Sequence, residues 1–246
     1  MKVSLCTTCK NRLHHLEQTL PYNIEANKQA EFILVDYYST DGLCEWIRDN
    51  LKTEINTGKL TYYRLSKPTD YFCLSHAINI GFKKATGDIV CNIDADNFTG
   101  NNFDIHLLEI FNREKIIAES VSGYGLTGRK AYWRKEFIDI LGGYDEDFRY
   151  GWGYDEIDIR TRAYALGFVS VKFDVNKEGS YIHHGDNERM INSIYLKEKK
   201  NIEDKFGIWN SNEIHKTFSD VKIKHGFLKA NLYKELGEAD LIKNFS

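Results

Sequence analysis

Asp88-Ile89-Val90-Cys91-Asn92-Ile93-Asp94-Ala95-Asp96-Asn97 joins a short apolar run to two acids one residue apart. A run of this length bounded by turn residues reads as a buried parallel strand. The acids then fall at its carboxyl end, on one face of the backbone, toward the crevice where open α/β sheets bind ligands. That is a place for a cation. Two carboxylates on so short a span cannot enclose an ion alone, so water, substrate phosphates or a distant side chain must complete the shell, as around Mg²⁺ or Mn²⁺. A calcium loop is excluded: after Asp96 it needs another oxygen ligand and then glycine, and the chain has Phe98 and Thr99 there.

Outward from this strand, toward the amino terminus, the chain alternates. Residues 3–6 form a strand, and 13–24 a helix with Leu13, Leu16, Leu20 and Ile24 on one stripe. Residues 32–35 form a second buried strand ending at Asp36. Ser39-Thr40-Asp41-Gly42 then turns the chain into a helix carrying Leu43, Trp46, Ile47 and Leu51. A third strand covers 60–65, and Leu74, Ala77, Ile78, Gly81, Phe82 and Ala85 mark the helix that leads back to Asp88. Strands alternating with helices in this way predict a parallel sheet covered on both faces.

Toward the carboxyl terminus the pattern changes. It predicts a helix near 102–113, a strand at 116–121, a glycine-rich loop, and a helix near 132–141. An acidic and aromatic segment at 142–162 and a strand at 169–175 follow. From about 187 the chain reads as mostly helical, rich in Lys and Glu, with Tyr195, Phe206 and Trp209 as anchors. This is an α/β domain with a C-terminal helical extension.

A chain of 246 residues can bury the core of one large domain. Its formal net charge of −3 and pI near 6.3 give no overall basic excess for a nucleic-acid backbone, so nucleic acid is excluded as the expected partner. Lys10, Asn11 and Arg12 interrupt any apolar signal region, and no run reaches the length of a membrane span. Five scattered cysteines, an odd number, suit reduced thiols in a cytoplasmic protein. Peripheral membrane association through the C-terminal lysines is the weaker reading, because mixed-sign helices are usually solvated faces.

Two motifs point away from the site. Cys6-Thr7-Thr8-Cys9 has dithiol spacing, yet it follows the first strand and no second pair exists to make a structural zinc site, so it reads as packed thiols. Gly123-Tyr124-Gly125-Leu126-Thr127-Gly128 has dinucleotide spacing but sits mid-chain. The acid expected about 20 residues later falls in the loop Tyr144-Asp145-Glu146-Asp147, so the segment reads as a loop lining a cleft.

Two motifs point toward it. Gly151-Trp152-Gly153-Tyr154-Asp155-Glu156 presents an indole between glycines and then opens a helix with acids, offering Asp155 or Glu156 as a general base. Asp158 and Arg162, four apart, read as a simple ion pair. Ser180-Tyr181-Ile182-His183-His184-Gly185-Asp186 brings imidazoles after a late strand, either of which could complete the shell begun by Asp94 and Asp96.

Together these segments resemble glycosyltransferases of the GT-A fold, similar to family 2 enzymes. The 142–162 segment is similar to that of the beta-1,4-galactosyltransferases and of chondroitin-polymerase-type enzymes. The resemblance runs collinearly over residues 3–185, through Cys6 to Arg12, Val35 to Asp41, Ala77 to Gly81, Asp94-Ala95-Asp96, Gly142 to Glu146 and Gly151 to Glu156. Two departures stand out: Tyr37 replaces a common second acid, and Asp155-Glu156 reverses the galactosyltransferase order.

The resemblance implies a nucleotide-diphospho-sugar transferase fold over 1–186, with 1–101 as the nucleotide-sugar half, 102–186 as the acceptor half, and 187–246 as the extension. It implies a UDP-sugar donor, a glycan or glycolipid acceptor, a role in cell-surface polysaccharide or lipopolysaccharide synthesis, and inversion at the anomeric carbon. Thr7, Arg12, Asp36, Asn79, Asp94 and Trp152 would contact the nucleotide sugar, with Asp36 accepting from uracil and Trp152 packing on a sugar. Asp96, Asp94 and His184 or His183 would hold Mn²⁺ or Mg²⁺, and Glu156, with Asp155 beside it, would serve as base. The alternatives are a nucleotidyltransferase acting on sugar phosphates and a degenerate glycan-binding subunit.

Overall fold

The computed structural model describes residues 1–69, 71–121, 126, 128–149, 153–174, 176–185, 188, 220, 224, 226, 229–230 and 240–246. Trp152 and the anchors Tyr195, Phe206 and Trp209 lie outside the described residues, as does most of the extension. Strands β1 (Val3–Cys9), β2 (Glu31–Asp36), β3 (Leu60–Leu65) and β4 (Ile89–Asn92) alternate with helices α1 (Leu13–Ala26), α2 (Leu43–Asn50), α3 (Lys52–Asn56) and α4 (Leu74–Lys84). Next come β5 (Asn97–Phe98), α5 (Phe103–Ile110), β6 (Ile116–Glu119), β7 (Lys130–Trp133) and α6 (Arg134–Glu136). A π-helical turn at Phe137–Leu141, α7 (Asp155–Ala165), β8 (Val169–Lys172), β9 (Ser180–Tyr181) and β10 (Leu241–Lys243) complete the order.

Among the described residues the main sheet runs β10-β3-β2-β1-β4-β7-β6-β8, and β5 pairs with β9 in a separate ribbon. β1 to β4 are mutually parallel, as expected, and β6 is parallel to β8. β7 is antiparallel to both β4 and β6, and β10 is antiparallel to β3.

The buried strands show why the first half was legible. Phe32 and Leu34 enter one core with Leu16, Leu20, Leu43 and Phe103, while Ile33 and Val35 enter the other with Ala77, Phe137 and Ile159. Each strand is apolar on both faces because helices cover both. Truncating Leu34, fully buried, to Ala would cost about 2–5 kcal/mol. The same alternation settles Cys6 and Cys9: three apart on a strand, they enter opposite cores as free thiols, and burial pushes both thiols up.

One expectation needs correction. The helix near 132–141 begins only after β7, because Ala131 and Tyr132 are taken up as strand residues between β4 and β6. The helix that follows ends in a π turn closed by Gly142, whose φ of 65° suits glycine and where a Cβ would lie 1.8 Å from the Ala230 carbonyl oxygen. At the end of the chain, Leu241–Lys243 returns to pair with β3 and close that sheet edge. No helix of the described residues is long and apolar enough to cross a membrane.

Candidate active site

The acids Asp94 and Asp96 lie between β4 and β5, at the carboxyl end of the parallel strands. Asn92 Nδ2 donates to Asp94 Oδ1 (2.8 Å) and to the Gly128 carbonyl (3.3 Å), so one amide orients the first acid and ties it to the approach to β7. Asn97 Nδ2 donates to Asp96 Oδ1 (2.9 Å), leaving Oδ2 turned toward His184. The β5-β9 ribbon delivers that histidine: the Ile182 N–H donates to the Asp96 carbonyl (2.8 Å), and two residues on His184 Nε2 stands 3.0 Å from Asp96 Oδ2. His183 turns the other way, exposed and 4.4 Å from the Tyr181 ring.

These residues fit a small divalent cation. Ligands at about 2.1 Å and right angles on an octahedral ion lie roughly 3 Å apart, the separation found between Asp96 Oδ2 and His184 Nε2. The buried Asn92 Oδ1 has no hydrogen-bond partner among the described residues. Burial first, and then Asp96, push the Asp94 carboxyl up to about 6. Two acids that feel each other's charge, one of them desolvated, favour a cation to offset it.

Across the cleft, α7 starts with Asp155 and Glu156 in its first turn. Glu156 and Asp94 converge on the space beside Gly128: a Cβ built there would lie 2.4 Å from Asp94 Oδ2 and 3.0 Å from Glu156 Oε1. Only a glycine leaves room there for both carboxylates. Lys130 Nζ sits 3.6 Å from Glu156 Oε2 and 4.0 Å from Glu119 Oε2. Even so, burial dominates and pushes the Glu156 carboxyl up to about 8, with Lys130 opposing and Asp155 and Asp94 reinforcing. Such a carboxylate accepts a proton from a hydroxyl far more readily than an ordinary one.

Just before the helix, Tyr154 has φ of 73°, an uncommon conformation for a bulky residue and one that recurs at functional sites. The adjoining loop is anchored from two sides. Arg162, buried and paired with Asp158 at 2.8 Å as expected, donates to the carbonyls of Leu141 (2.8 Å) and Gly143 (2.9 Å).

Asn79 grips the other side of that loop. Its amide accepts from the Tyr144 N–H (2.8 Å) and donates to the Tyr144 carbonyl and Glu146 Oε1 (both 2.9 Å). Fully buried, Asn79 is therefore a clamp on this loop rather than a nucleotide contact. Asp36 is also corrected. It has no exposed surface, Oδ1 accepts from the Ser39 N–H (2.7 Å), and Oδ2 accepts from the Tyr62 hydroxyl (2.7 Å) with Arg64 at 3.6 Å. It closes the β2 and β3 strand ends instead of facing uracil. Thr7 is buried in β1 near its carboxyl end.

Arg12 carries Glu188, which His15 also meets, and the His15 ring centre is 5.2 Å from that of His184. Arg129 was also not foreseen. Fully buried, it donates to Asn97 Oδ1 (3.2 Å) and the Phe98 carbonyl (3.3 Å), bracing the loop after the acids. The glycine-rich loop pointed to Gly128 but not to Lys130 or Arg129, whose roles come from the antiparallel β7.

The sequence matches the model of glycosyl transferase family 2 over residues 4–178. No curated protein matches it by sequence. Among solved structures it is similar to the mannosyltransferase PcManGT from Pyrobaculum calidifontis in complex with GDP-Man and Mn2+. The identity is 18%, the TM-score 0.63, and the match covers 92% of this chain and 71% of that one. It is also similar to S. aureus TarS 1–349 in complex with UDP-GlcNAc, at 14% identity and TM-score 0.51, over 91% of this chain and 73% of that one. A further likeness is to glucosyl-3-phosphoglycerate synthase from Mycobacterium tuberculosis in complex with Mn2+, UDP and glucosyl-3-phosphoglycerate, at 17% identity and TM-score 0.51, over 76% and 74%. At these identities the likeness establishes the fold, which is the GT-A architecture.

Proposed function

Because the chain belongs to glycosyl transferase family 2, we propose that it transfers a hexose or N-acetylhexosamine from a nucleoside-diphosphate sugar, a UDP-sugar in the first instance, to a hydroxyl of a glycan or glycolipid acceptor, with inversion. The observation that carries this reading is the meeting of two different centres in the space that Gly128 leaves open, the Asp94 carboxylate beside the Asp96 and His184 pair and the half-buried carboxylate of Glu156. A divalent cation such as Mn²⁺, which Asp96, His184 and Asp94 would hold, would supply the positive charge that neutralises a departing diphosphate.

The chain's own residues do the rest. Asn92 and Asn97 hold the two acids in orientation, and Arg12 sits where it can meet a phosphate. Glu156 takes the proton from the attacking hydroxyl, and Lys130 fixes its carboxylate. Asp155, about 100° away around the same helix, holds the acceptor. A hydroxyl attacking from the Glu156 side while the diphosphate leaves on the Asp96 side inverts the anomeric carbon. The complexes of similar structures with UDP-GlcNAc and with GDP-Man, each of the latter two kinds of donor on this fold, support the donor class.

The test is a panel of UDP- and GDP-sugars with Mn²⁺, scored for metal-dependent hydrolysis and transfer. Turnover of one sugar nucleotide, lost on chelation, is expected. A nucleotidyltransferase would instead turn over a nucleoside triphosphate with a sugar phosphate, and a glycan-binding subunit would turn over neither.

A further inference from the structure

One oxygen of Glu188 gathers three side chains from a four-residue stretch. Arg12 Nη1 stands 2.6 Å from Glu188 Oε1, His14 Nε2 2.7 Å and His15 Nε2 3.3 Å, while Arg12 Nη2 donates to the Glu188 carbonyl. Arg12 and His15 are largely buried, whereas His14 reaches the group from outside. The cluster adjoins the cation seat, through the His15 and His184 rings and then the 3.0 Å contact to Asp96.

Two imidazoles and a carboxylate with ligand atoms within 4.8 Å of one another could hold a metal. The guanidinium decides against it. Arg12 is always charged and lies closest of the three to the shared oxygen, so a cation placed there would meet a fixed positive charge at contact distance. An anion meets a planar fork and two ring N–H donors. Guanidinium and imidazole around an oxyanion is the chemistry of phosphate recognition.

We propose that Arg12, His14 and His15 form a phosphate seat, and that the Glu188 carboxylate occupies it in competition with a phosphate of the donor. Glu188 is thus a phosphate mimic supplied by the chain itself, four residues after His184. The inference rests on the proposed donor class for the source of the phosphate, but not for the chemistry of the seat. A competing internal group lowers the apparent affinity of a ligand by the fraction of molecules whose seat is open. If Glu188 fills the seat about nine-tenths of the time, removing its charge tightens phosphate binding roughly tenfold.

The experiment is calorimetric titration of the full chain in Mn²⁺ with UDP, inorganic pyrophosphate and uridine, for the wild type, Glu188→Gln and His14→Gln/His15→Gln. Glu188→Gln is expected to bind UDP and pyrophosphate about tenfold tighter and uridine unchanged. The histidine double variant should bind both phosphate compounds more weakly and uridine unchanged. Equal or weaker pyrophosphate binding by Glu188→Gln overturns the seat, and weaker binding would mark Glu188 as a ligand of a cation instead. The two readings fail separately. Tighter pyrophosphate binding without UDP or GDP binding keeps the seat and removes the donor, while sugar-nucleotide turnover with no gain for pyrophosphate keeps the donor and removes the seat.

Discussion

The main-sheet strands drawn from residues 3–92 each lie beside a parallel neighbour, with both faces covered by helices, whereas the strands from residues 116–172 are inserted around an antiparallel β7. The first region supplies the oxygen pair Asp94 and Asp96, and the second supplies Glu156, Lys130 and Gly128. In the proposed reaction, the charge that leaves is met by the half whose geometry is fixed by regular strand-helix repetition. The proton would be met by the half whose geometry depends on a strand reversal, a π turn and a tyrosine in a left-handed conformation. The two halves fail differently when disturbed.

The largest effect should come from the first half. Asp96→Ala removes the carboxylate shared with His184, and transfer together with Mn²⁺-dependent UDP binding should be abolished, with Asp94→Ala doing somewhat less. His184→Ala should weaken the Mn²⁺ requirement's hold on UDP, while His183→Ala, which loses only a ring contact with Tyr181, should not. Near-normal Mn²⁺-dependent UDP affinity in Asp96→Ala would sink the cation seat.

A substitution in the second half should separate chemistry from binding. Glu156→Gln is expected to slow the chemical step about 10²–10⁴-fold with UDP-sugar binding intact. Asp155→Asn should act chiefly through the acceptor KM. If Asp155→Asn instead stops turnover and Glu156→Gln changes only acceptor binding, the reversed order of the two acids has reversed their roles.

Gly128→Ala probes the seam between the halves. Its φ lies outside the left-handed region, so alanine brings only the collision of Cβ with Asp94 Oδ2 at 2.4 Å and Glu156 Oε1 at 3.0 Å. A displacement of reacting groups by about 1 Å can cost about 10²-fold in rate, and that loss is expected in single-turnover assays without a matching loss of stability. Full activity in Gly128→Ala would show that the two carboxylates do not need the space that glycine leaves open.

The same contrast explains what could be read beforehand. β2 and β4 are legible because strands buried on both faces are continuous apolar runs, whereas Asp94, Asp96 and His184 are singled out because ligand chemistry restricts residue type. β7 is not legible, because Ala131, Tyr132 and Trp133 before Phe137 fit a helical stripe as well as a strand, and only pairing with β4 and β6 decides. Asn79 and Asp36 were assigned to the nucleotide from motif position alone. Their amide and carboxylate prove to be taken by Tyr144, Glu146, Tyr62 and Ser39, partners set by tertiary contacts 65 or more residues away for the first and 3 to 26 for the second. Lys130 and Arg129 carry no motif, and their place in the site comes from tertiary partners, Glu156 and Glu119 for the first and Asn97 and the Phe98 carbonyl for the second.

The smallest effect is a pH-dependent stability difference confined to Glu156. Its carboxyl ionises near its ordinary 4.5 when unfolded and near 8 when folded, chiefly because burial disfavours the charge. Between those values the folded state holds one more proton than the unfolded state, so this group's contribution falls as pH rises through the window and is fully lost above 8. Asp94, pushed up to about 6, adds a similar slope only below that pH. Glu156→Gln cannot titrate. In metal-free buffer its Tm relative to wild type should therefore climb between pH 6 and 8 and level off beyond, each kcal/mol appearing as about 2–4 °C at this chain length. A Tm difference that stays constant from pH 5 to 8 would mean the carboxylate is already ionised throughout. The second half of the site would then hold its base by Lys130 and solvent, not by burial.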